Sequence, residues 1–160
     1  MSEVTCSLTI VGLGYVGLPL AQEACRSGLR VVGLDTDPAV VSDLSSGLSH
    51  IDDIDSVDLA KMARAGFLAS TDSSCIRSSD VVVICVPTPL DDDGTPDLGA
   101  VKAATATISE HLQPGSLVVL ESTTYPGTTE DVVRPILEAG SGLVAGTDFW
   151  LAYSPERIDP

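Results

Sequence analysis

Short apolar runs alternate with amphipathic or polar stretches along most of the chain of 160 residues. Such runs are typical of buried parallel strands, because helices cover both faces of a parallel sheet. We predict strands over residues 8–11, 30–34, 67–70, 80–86, 116–120 and 148–153. Helices are predicted from about residue 15 and over 37–46, 57–65, 97–112 and 128–139. This alternation predicts an α/β fold with a single domain, a doubly wound parallel sheet in the strand order 3-2-1-4-5-6.

The turn after the first strand has a Gly-x-Gly-x-x-Gly spacing, formed by Gly12, Gly14 and Gly17. In a dinucleotide-binding Rossmann turn, these glycines permit the tight turn, the approach of a pyrophosphate and close packing of the helix. The N–H groups of Tyr15 and Val16 are expected to hold the phosphates. Asp35 ends the second strand, where its carboxylate can accept both ribose hydroxyls of an adenosine and would repel a 2′-phosphate. The motif therefore predicts NAD as the cofactor; the alternative is a strand–helix turn without a ligand.

The composition narrows the classes of partner. The formal net charge is −15, and only 8 residues are Lys or Arg, so the chain has no basic stripe for nucleic acid. Phosphates must then be held by backbone amides, and we interpret the acidity as a solvated surface. The longest strong apolar run, residues 81–86, is far shorter than the ~18 residues of a membrane span. With no signal-peptide pattern at the N-terminus, we expect a cytoplasmic protein that has no membrane partner.

Four cysteines occur without C-x-x-C spacing, namely Cys6, Cys25, Cys75 and Cys85. Neither His50 nor His111 lies at ligand spacing from any of them, so we predict no metal site and expect reduced, mostly buried thiols. The run Asp91-Asp92-Asp93-Gly94 lacks the alternating ligands and the distal glutamate of a calcium loop. It is interpreted as an acidic turn.

Further distinctive segments follow the later strands: Val86-Pro87-Thr88-Pro89, residues 121–128 (Glu-Ser-Thr-Thr-Tyr-Pro-Gly-Thr) and residues 153–157 (Tyr-Ser-Pro-Glu-Arg). Together with the glycine turn, they closely resemble the N-terminal NAD-binding domain of the UDP-glucose/GDP-mannose dehydrogenase family. The resemblance runs from about Leu8 to Pro160, nearly the whole chain. Residues 121–128 together with residues 154–160 (Ser-Pro-Glu-Arg-Ile-Asp-Pro) look most like the branch that acts on UDP-N-acetyl-hexosamines.

The resemblance implies an activity. Members of this family oxidise the C6 hydroxymethyl group of a nucleotide sugar to a carboxylate with two NAD, through a thioester on a cysteine that water then hydrolyses. Glu156 matches the glutamate that activates or places this water, and Thr123 matches a threonine that contacts cofactor and water. Pro87 and Thr88 would line the nicotinamide side. The alternatives are structural roles: an ion pair with Arg157 or Arg134 for Glu156, and a turn cap for Thr123.

The chain also departs from the family pattern. The family's nucleophilic cysteine lies in a second domain, and none of the four cysteines here occupies a matching motif. The central dimerisation helix and the sugar-nucleotide-binding domain are likewise absent from residues 1–160. We therefore expect an NAD-binding half of a dehydrogenase that binds NAD without turnover. Its parent would be a homo-oligomer that takes a UDP-sugar through the missing C-terminal domain. The alternative is a stand-alone NAD-sensing or regulatory module, although such a module has no use for Thr123 and Glu156.

Overall fold

A computed structural model of the protein describes residues 6–90 and 94–155. Its strands are β1 (Ser7–Val11), β2 (Arg30–Leu34), β3 (Leu68–Ser70), β4 (Val81–Ile84), β5 (Leu117–Leu120) and β6 (Trp150–Tyr153). They form one parallel sheet in the order β3-β2-β1-β4-β5-β6, which confirms the predicted single-domain, doubly wound fold. The acidic turn over residues 91–93 and the candidate Glu156 lie outside the described residues.

Helices connect the strands. They are α1 (Gly17–Arg26), α2 (Pro38–Ser45), α3 (Ser56–Arg64), α4 (Gly99–Ser109) and α5 (Arg134–Ser141), with a short 3-10 helix at Ser73–Ser78 and a π-helix at Thr128–Val133. The predicted start of α2 is confirmed, because the side chain of Asp37 accepts the N–H of Ala39 at 2.8 Å and Pro38 occupies the first turn.

Two apolar clusters cover the two faces of the sheet. Val83 of β4 belongs to the cluster that includes buried residues of α1 and α3. Its neighbours Val82 and Ile84 belong to the second cluster, with buried residues of α4 and α5. Successive side chains of a strand point to opposite faces, so β4 is buried from both sides. This arrangement leaves the carboxyl edge of the sheet and its loops as the place where a ligand can bind.

Several predicted boundaries were wrong. The helix expected over 128–139 begins as a π-helix, since Pro135 lacks the N–H that would bond the carbonyl of Asp131 in a continuous α-helix. The helix expected from Asp97 starts two residues later, where the Asp97 carboxylate accepts the N–H of Gly99 at 2.8 Å. Strands β4 and β6 are shorter than predicted, and the 3-10 helix was not predicted.

The cysteines are free thiols, with Cys25 and Cys85 buried and Cys6 and Cys75 half-buried. Burial raises the pKa of the Cys25 and Cys75 thiols, which therefore stay protonated at neutral pH. Over residues 6–90 and 94–155, no three His, Cys, Asp or Glu side chains cluster in a way that could hold a metal ion. In the same ranges, no helix is both long and apolar enough to cross a membrane.

Candidate cofactor-binding site

A cleft of about 480 Å³ opens at the carboxyl edge of the sheet, between β1 and β4, where the strand order reverses. Its volume lies within the range of small-molecule sites, and this switch point is where doubly wound sheets bind ligands. The lining residues are Val11, Gly12, Leu13, Gly14, Leu34, Asp35, Thr36, Asp37, Val40, His50, Cys85, Val86, Pro87, Ala100, Ala103, Ala104 and Thr107. None of these described lining residues is Lys or Arg.

Two glycines of the turn are required by the packing of the chain itself. Gly12 has a φ of +95°, and a Cβ added there would lie 2.8 Å from the carbonyl oxygen of Cys85. A Cβ on Gly17 would lie only 1.8 Å from the carbonyl oxygen of Gly12. Both positions therefore exclude any side chain, the first by conformation and contact and the second by contact alone.

Gly14 differs from these two. Apart from its two chain neighbours, a Cβ added to Gly14 would meet no atom of the described residues within 4 Å, and the φ of Gly14 is not positive. No contact among the described residues requires a glycine at this position. The open space in front of Gly14 is what the close approach of a ligand to the backbone needs.

The N–H groups that lead into α1 are available to a ligand. Those of Gly14, Tyr15 and Val16 have no acceptor within residues 6–90 and 94–155. The first helical bonds run instead from Leu18 N–H to the Gly14 carbonyl, at 3.1 Å, and from Leu20 N–H to that of Val16. Free N–H groups and the positive end of the helix dipole together favour an anion at this position.

Asp35 lies half-buried in the wall of the cleft, directly after β2. Its Oδ2 accepts the N–H of Leu13 at 2.9 Å, and its Oδ1 accepts the N–H of Asp37 at 3.0 Å. These two bonds fix the carboxylate against the glycine turn. Because a carboxylate has about four lone-pair positions, each oxygen retains capacity for a further donor such as a ribose hydroxyl.

The loops after β4 and β5 are tied together. The hydroxyl of Thr88 donates to the carbonyl of Thr123 at 2.5 Å, and the buried hydroxyl of Ser122 donates to the carbonyl of Val86 at 2.9 Å. Pro87 lines the cleft, whereas Thr88 and Thr123 lie beside it. The Thr88 hydroxyl donates its only proton to this bond, so toward a ligand it can act only as an acceptor.

The predicted site residues fall into three groups. Gly12, Gly14, Asp35 and Pro87 line one cleft; Tyr15, Val16 and Gly17 form the entry to α1; Thr88 and Thr123 join two neighbouring loops. Glu156 lies outside the described residues, and its role stays a prediction.

Two parts of the cleft wall were not predicted. His50 reaches it from the loop between α2 and α3, and no motif in the sequence marks this position. The other part is a face of α4 formed by Ala100, Ala103, Ala104 and Thr107. Their spacing at i, i+3, i+4 and i+7 is a helical stripe of small residues, which was a usable signal.

Residues 6–160 match the family model of the UDP-glucose/GDP-mannose dehydrogenase family, NAD binding domain. The chain belongs to this family. A UDP-N-acetyl-D-mannosamine dehydrogenase of Pyrococcus horikoshii is 42% identical over 156 residues, which cover 96% of this chain and 37% of the relative. A UDP-N-acetyl-D-glucosamine 6-dehydrogenase of Pseudomonas aeruginosa is 38% identical over 153 residues, covering 96% and 36%.

The fold comparison agrees with the sequence comparison. The solved structure of UDP-D-ManNAc dehydrogenase from Pyrococcus horikoshii superposes with a TM-score of 0.89 at 39% identity. The match covers 96% of this chain and 37% of that one. The chain thus spans little more than a third of the length of the relatives that it matches. The family is nucleotide-sugar dehydrogenases, and the matching part is their NAD-binding domain.

Proposed function

We propose that this chain binds NAD in the carboxyl-edge cleft and supplies the cofactor half of a nucleotide-sugar 6-dehydrogenase. The observation that carries the proposal is the open space at Gly14 beside three N–H groups without an acceptor in the described residues. The packing of the described residues does not require a glycine at this position, whereas a bound pyrophosphate needs both the space and the N–H donors.

The donor set fits a dinucleotide. The N–H groups of Gly14, Tyr15 and Val16 would bind the diphosphate, and Asp35 would accept the hydroxyls of the adenosine ribose. Pro87 and Thr88 would border the nicotinamide side. When bound, NAD would supply a hydride acceptor, and the chain would position it.

Asp35 also accounts for the proposed preference for NAD over NADP. Its carboxylate is held in place by the N–H groups of Leu13 and Asp37, and none of the described residues that line the cleft is Lys or Arg. A 2′-phosphate would therefore meet a fixed negative charge without a compensating cation among those lining residues.

For the longer protein, we propose oxidation of the C6 hydroxymethyl of a UDP-N-acetyl-hexosamine to a carboxylate. The names of the two relatives above support this substrate class, as do the segments at residues 121–128 and 154–160. Thr123 would contact cofactor and water, and Glu156 would activate or place that water. We place the nucleophilic cysteine and the sugar pocket in the part of the relatives that this chain does not cover, and we expect this chain alone to bind NAD and to oxidise no UDP-sugar.

Titration calorimetry of the 160-residue chain with NAD and with NADP tests the binding proposal. We expect one site per chain, with NAD bound more tightly than NADP. Absence of NAD binding to folded chain contradicts the proposal. Production of NADH by the chain alone from NAD and a UDP-sugar contradicts the assignment of the chain as an inactive half.

A chimera tests the dehydrogenase assignment. This chain would replace the corresponding third of the Pyrococcus horikoshii relative, and NADH formation at 340 nm would be followed with UDP-N-acetyl-mannosamine, UDP-N-acetyl-glucosamine and UDP-glucose. We expect NADH with at least one of the N-acetylated substrates. A chimera that binds NAD and the UDP-sugar but forms no NADH contradicts the proposed activity.

A further inference from the structure

Leu13, the residue between the first two glycines of the turn, is fixed by contacts of its side chain, its N–H and its carbonyl oxygen. Its side chain is 0% exposed and packs against Gly33 of β2. A Cβ added to Gly33 would lie only 2.6 Å from the nearer Cδ atom of Leu13. Its N–H donates to Asp35 at 2.9 Å. Its carbonyl oxygen lies 2.9 Å from Nε2 of His50. Strand β2 with the residue that follows it, and the loop that carries His50, therefore fix one residue of the turn.

The carbonyl contact has a consequence for the neighbouring donor. The carbonyl of Leu13 and the N–H of Gly14 belong to the same peptide unit, which is planar and trans, since the described residues contain no cis peptide bond. In such a unit the N–H points opposite to the C=O. Whatever orients the carbonyl of Leu13 therefore orients the N–H of Gly14, one of the three donors without an acceptor in the described residues.

His50 is well placed to exert this control. It lies in the loop between α2 and α3, next to Ile51, which is 3% exposed, and near Ile54, which is 2% exposed. The hydroxyl of Ser49 contacts both the N–H and the carbonyl of Ile51 at 3.0 Å. Because the partner of Nε2 is a carbonyl oxygen, Nε2 must carry the proton. The imidazole thus donates to the turn from an anchored loop.

We propose that His50 is a positioning residue of the dinucleotide site, which aligns the Gly14 N–H with the diphosphate through the carbonyl of Leu13. This inference rests on the proposed NAD binding. The flanking glycines, Gly12 and Gly14, have the greatest backbone freedom to lose when a ligand binds. A turn that is ordered before the ligand arrives avoids that cost, so the bond from His50 raises affinity through the backbone of the turn.

The test compares His50 variants in the 160-residue chain by calorimetry. His50→Ala should raise the dissociation constants of both NAD and ADP-ribose by about threefold to tenfold, the range expected for loss of one hydrogen bond. His50→Gln, whose amide can donate near the Nε2 position, should restore most of the affinity. His50→Asn, whose amide is closer to the backbone, should behave like the alanine variant.

Two controls separate positioning from other effects. Adenosine lacks the diphosphate, so its affinity should be the same in the wild type and in His50→Ala. His111 is the second histidine of the chain; its Nε2 contacts the hydroxyl of Ser73, away from the cleft. His111→Ala should therefore leave NAD affinity unchanged, whatever it does to the melting temperature.

Each contrary outcome has a distinct meaning. Equal NAD affinity of His50→Ala and wild type overturns the inference and leaves the proposed function standing. The same holds if His50→Gln is as weak as His50→Ala, or if adenosine is weakened as much as ADP-ribose. A wild-type chain that binds neither NAD nor ADP-ribose overturns the proposed function, and this inference with it.

Discussion

Substitution of Gly14 by alanine should separate ligand binding from folding. Apart from the two chain neighbours, an ideal Cβ at this position meets no atom of the part of the chain that the structure describes within 4 Å, and the backbone φ is not positive. The folded chain can therefore accept alanine without a clash or conformational strain. Because alanine also lowers the entropy of the unfolded chain, the free energy of unfolding should stay the same or rise by up to about 1 kcal/mol.

The loss of affinity follows from the same geometry. The methyl group would occupy the space in front of the N–H groups of Gly14, Tyr15 and Val16. A diphosphate displaced by the methyl loses at least one hydrogen bond to a charged group, which contributes about 1.5–3 kcal/mol. The dissociation constant for NAD should consequently rise by about tenfold to a hundredfold.

Urea unfolding and calorimetry with NAD on the same protein samples would measure both effects. Gly17→Ala is the matched control, since its Cβ would lie 1.8 Å from the carbonyl oxygen of Gly12. That overlap between backbone-fixed atoms should lower the free energy of unfolding by at least about 2 kcal/mol. The reasoning is refuted if Gly14→Ala binds NAD as tightly as the wild type, or if it is destabilised as much as Gly17→Ala.

Three further predictions follow from the same contacts. Asp35→Ala should weaken the binding of NAD and narrow the affinity preference for NAD over NADP, both measured by calorimetry. An unchanged preference would refute the assignment of Asp35 to the ribose hydroxyls. The Asp80 carboxylate accepts the N–H and then the hydroxyl of Ser7, both at 2.8 Å, which lowers the pKa of Asp80 in the folded chain. This contact stabilises the fold fully at pH values above the pKa of Asp80 in the unfolded chain, about 3.9, and the stabilisation is lost as the pH falls through the pKa of the folded chain. Asp80→Asn should therefore flatten the decrease in the free energy of unfolding in urea below about pH 4. Parallel pH profiles of the variant and the wild type would contradict this. Gly140→Ala would bring a Cβ within 1.9 Å of the Ser109 hydroxyl, between α4 and α5, and should lower the unfolding free energy by about 1–3 kcal/mol in urea; wild-type stability would show that the helices can separate at no cost.

The order of the strands was predictable because each buried strand is a short apolar run bounded by turn residues. Doubly wound topology then leaves few arrangements for such an alternation. Boundaries were less predictable where a distant partner decides them. Strand β6 starts at Trp150 rather than near Asp148, whose carboxylate accepts the N–H of Val144 in the preceding turn. That partner choice is not visible in a local pattern.

The site was predictable where its residues form short motifs. The glycine turn and Asp35 have a known spacing, and the structure brings them into one cleft. His50 could not be predicted, because its partner, the carbonyl of Leu13, lies 37 residues earlier in the chain. Its contribution depends on the fold of the loop between α2 and α3, which two buried isoleucines anchor, and no motif encodes it.

A titration of ¹⁵N-labelled chain with NAD, followed by amide chemical shifts, tests the central claim most directly. We predict that the largest shifts fall on the N–H groups of Gly14, Tyr15 and Val16, followed by residues 35–37, 86–88 and the face of α4 at residues 100–107. Saturable shifts confined to another surface, such as the hollow between α1 and α3, would contradict the account. So would the absence of any shift at NAD concentrations in the millimolar range.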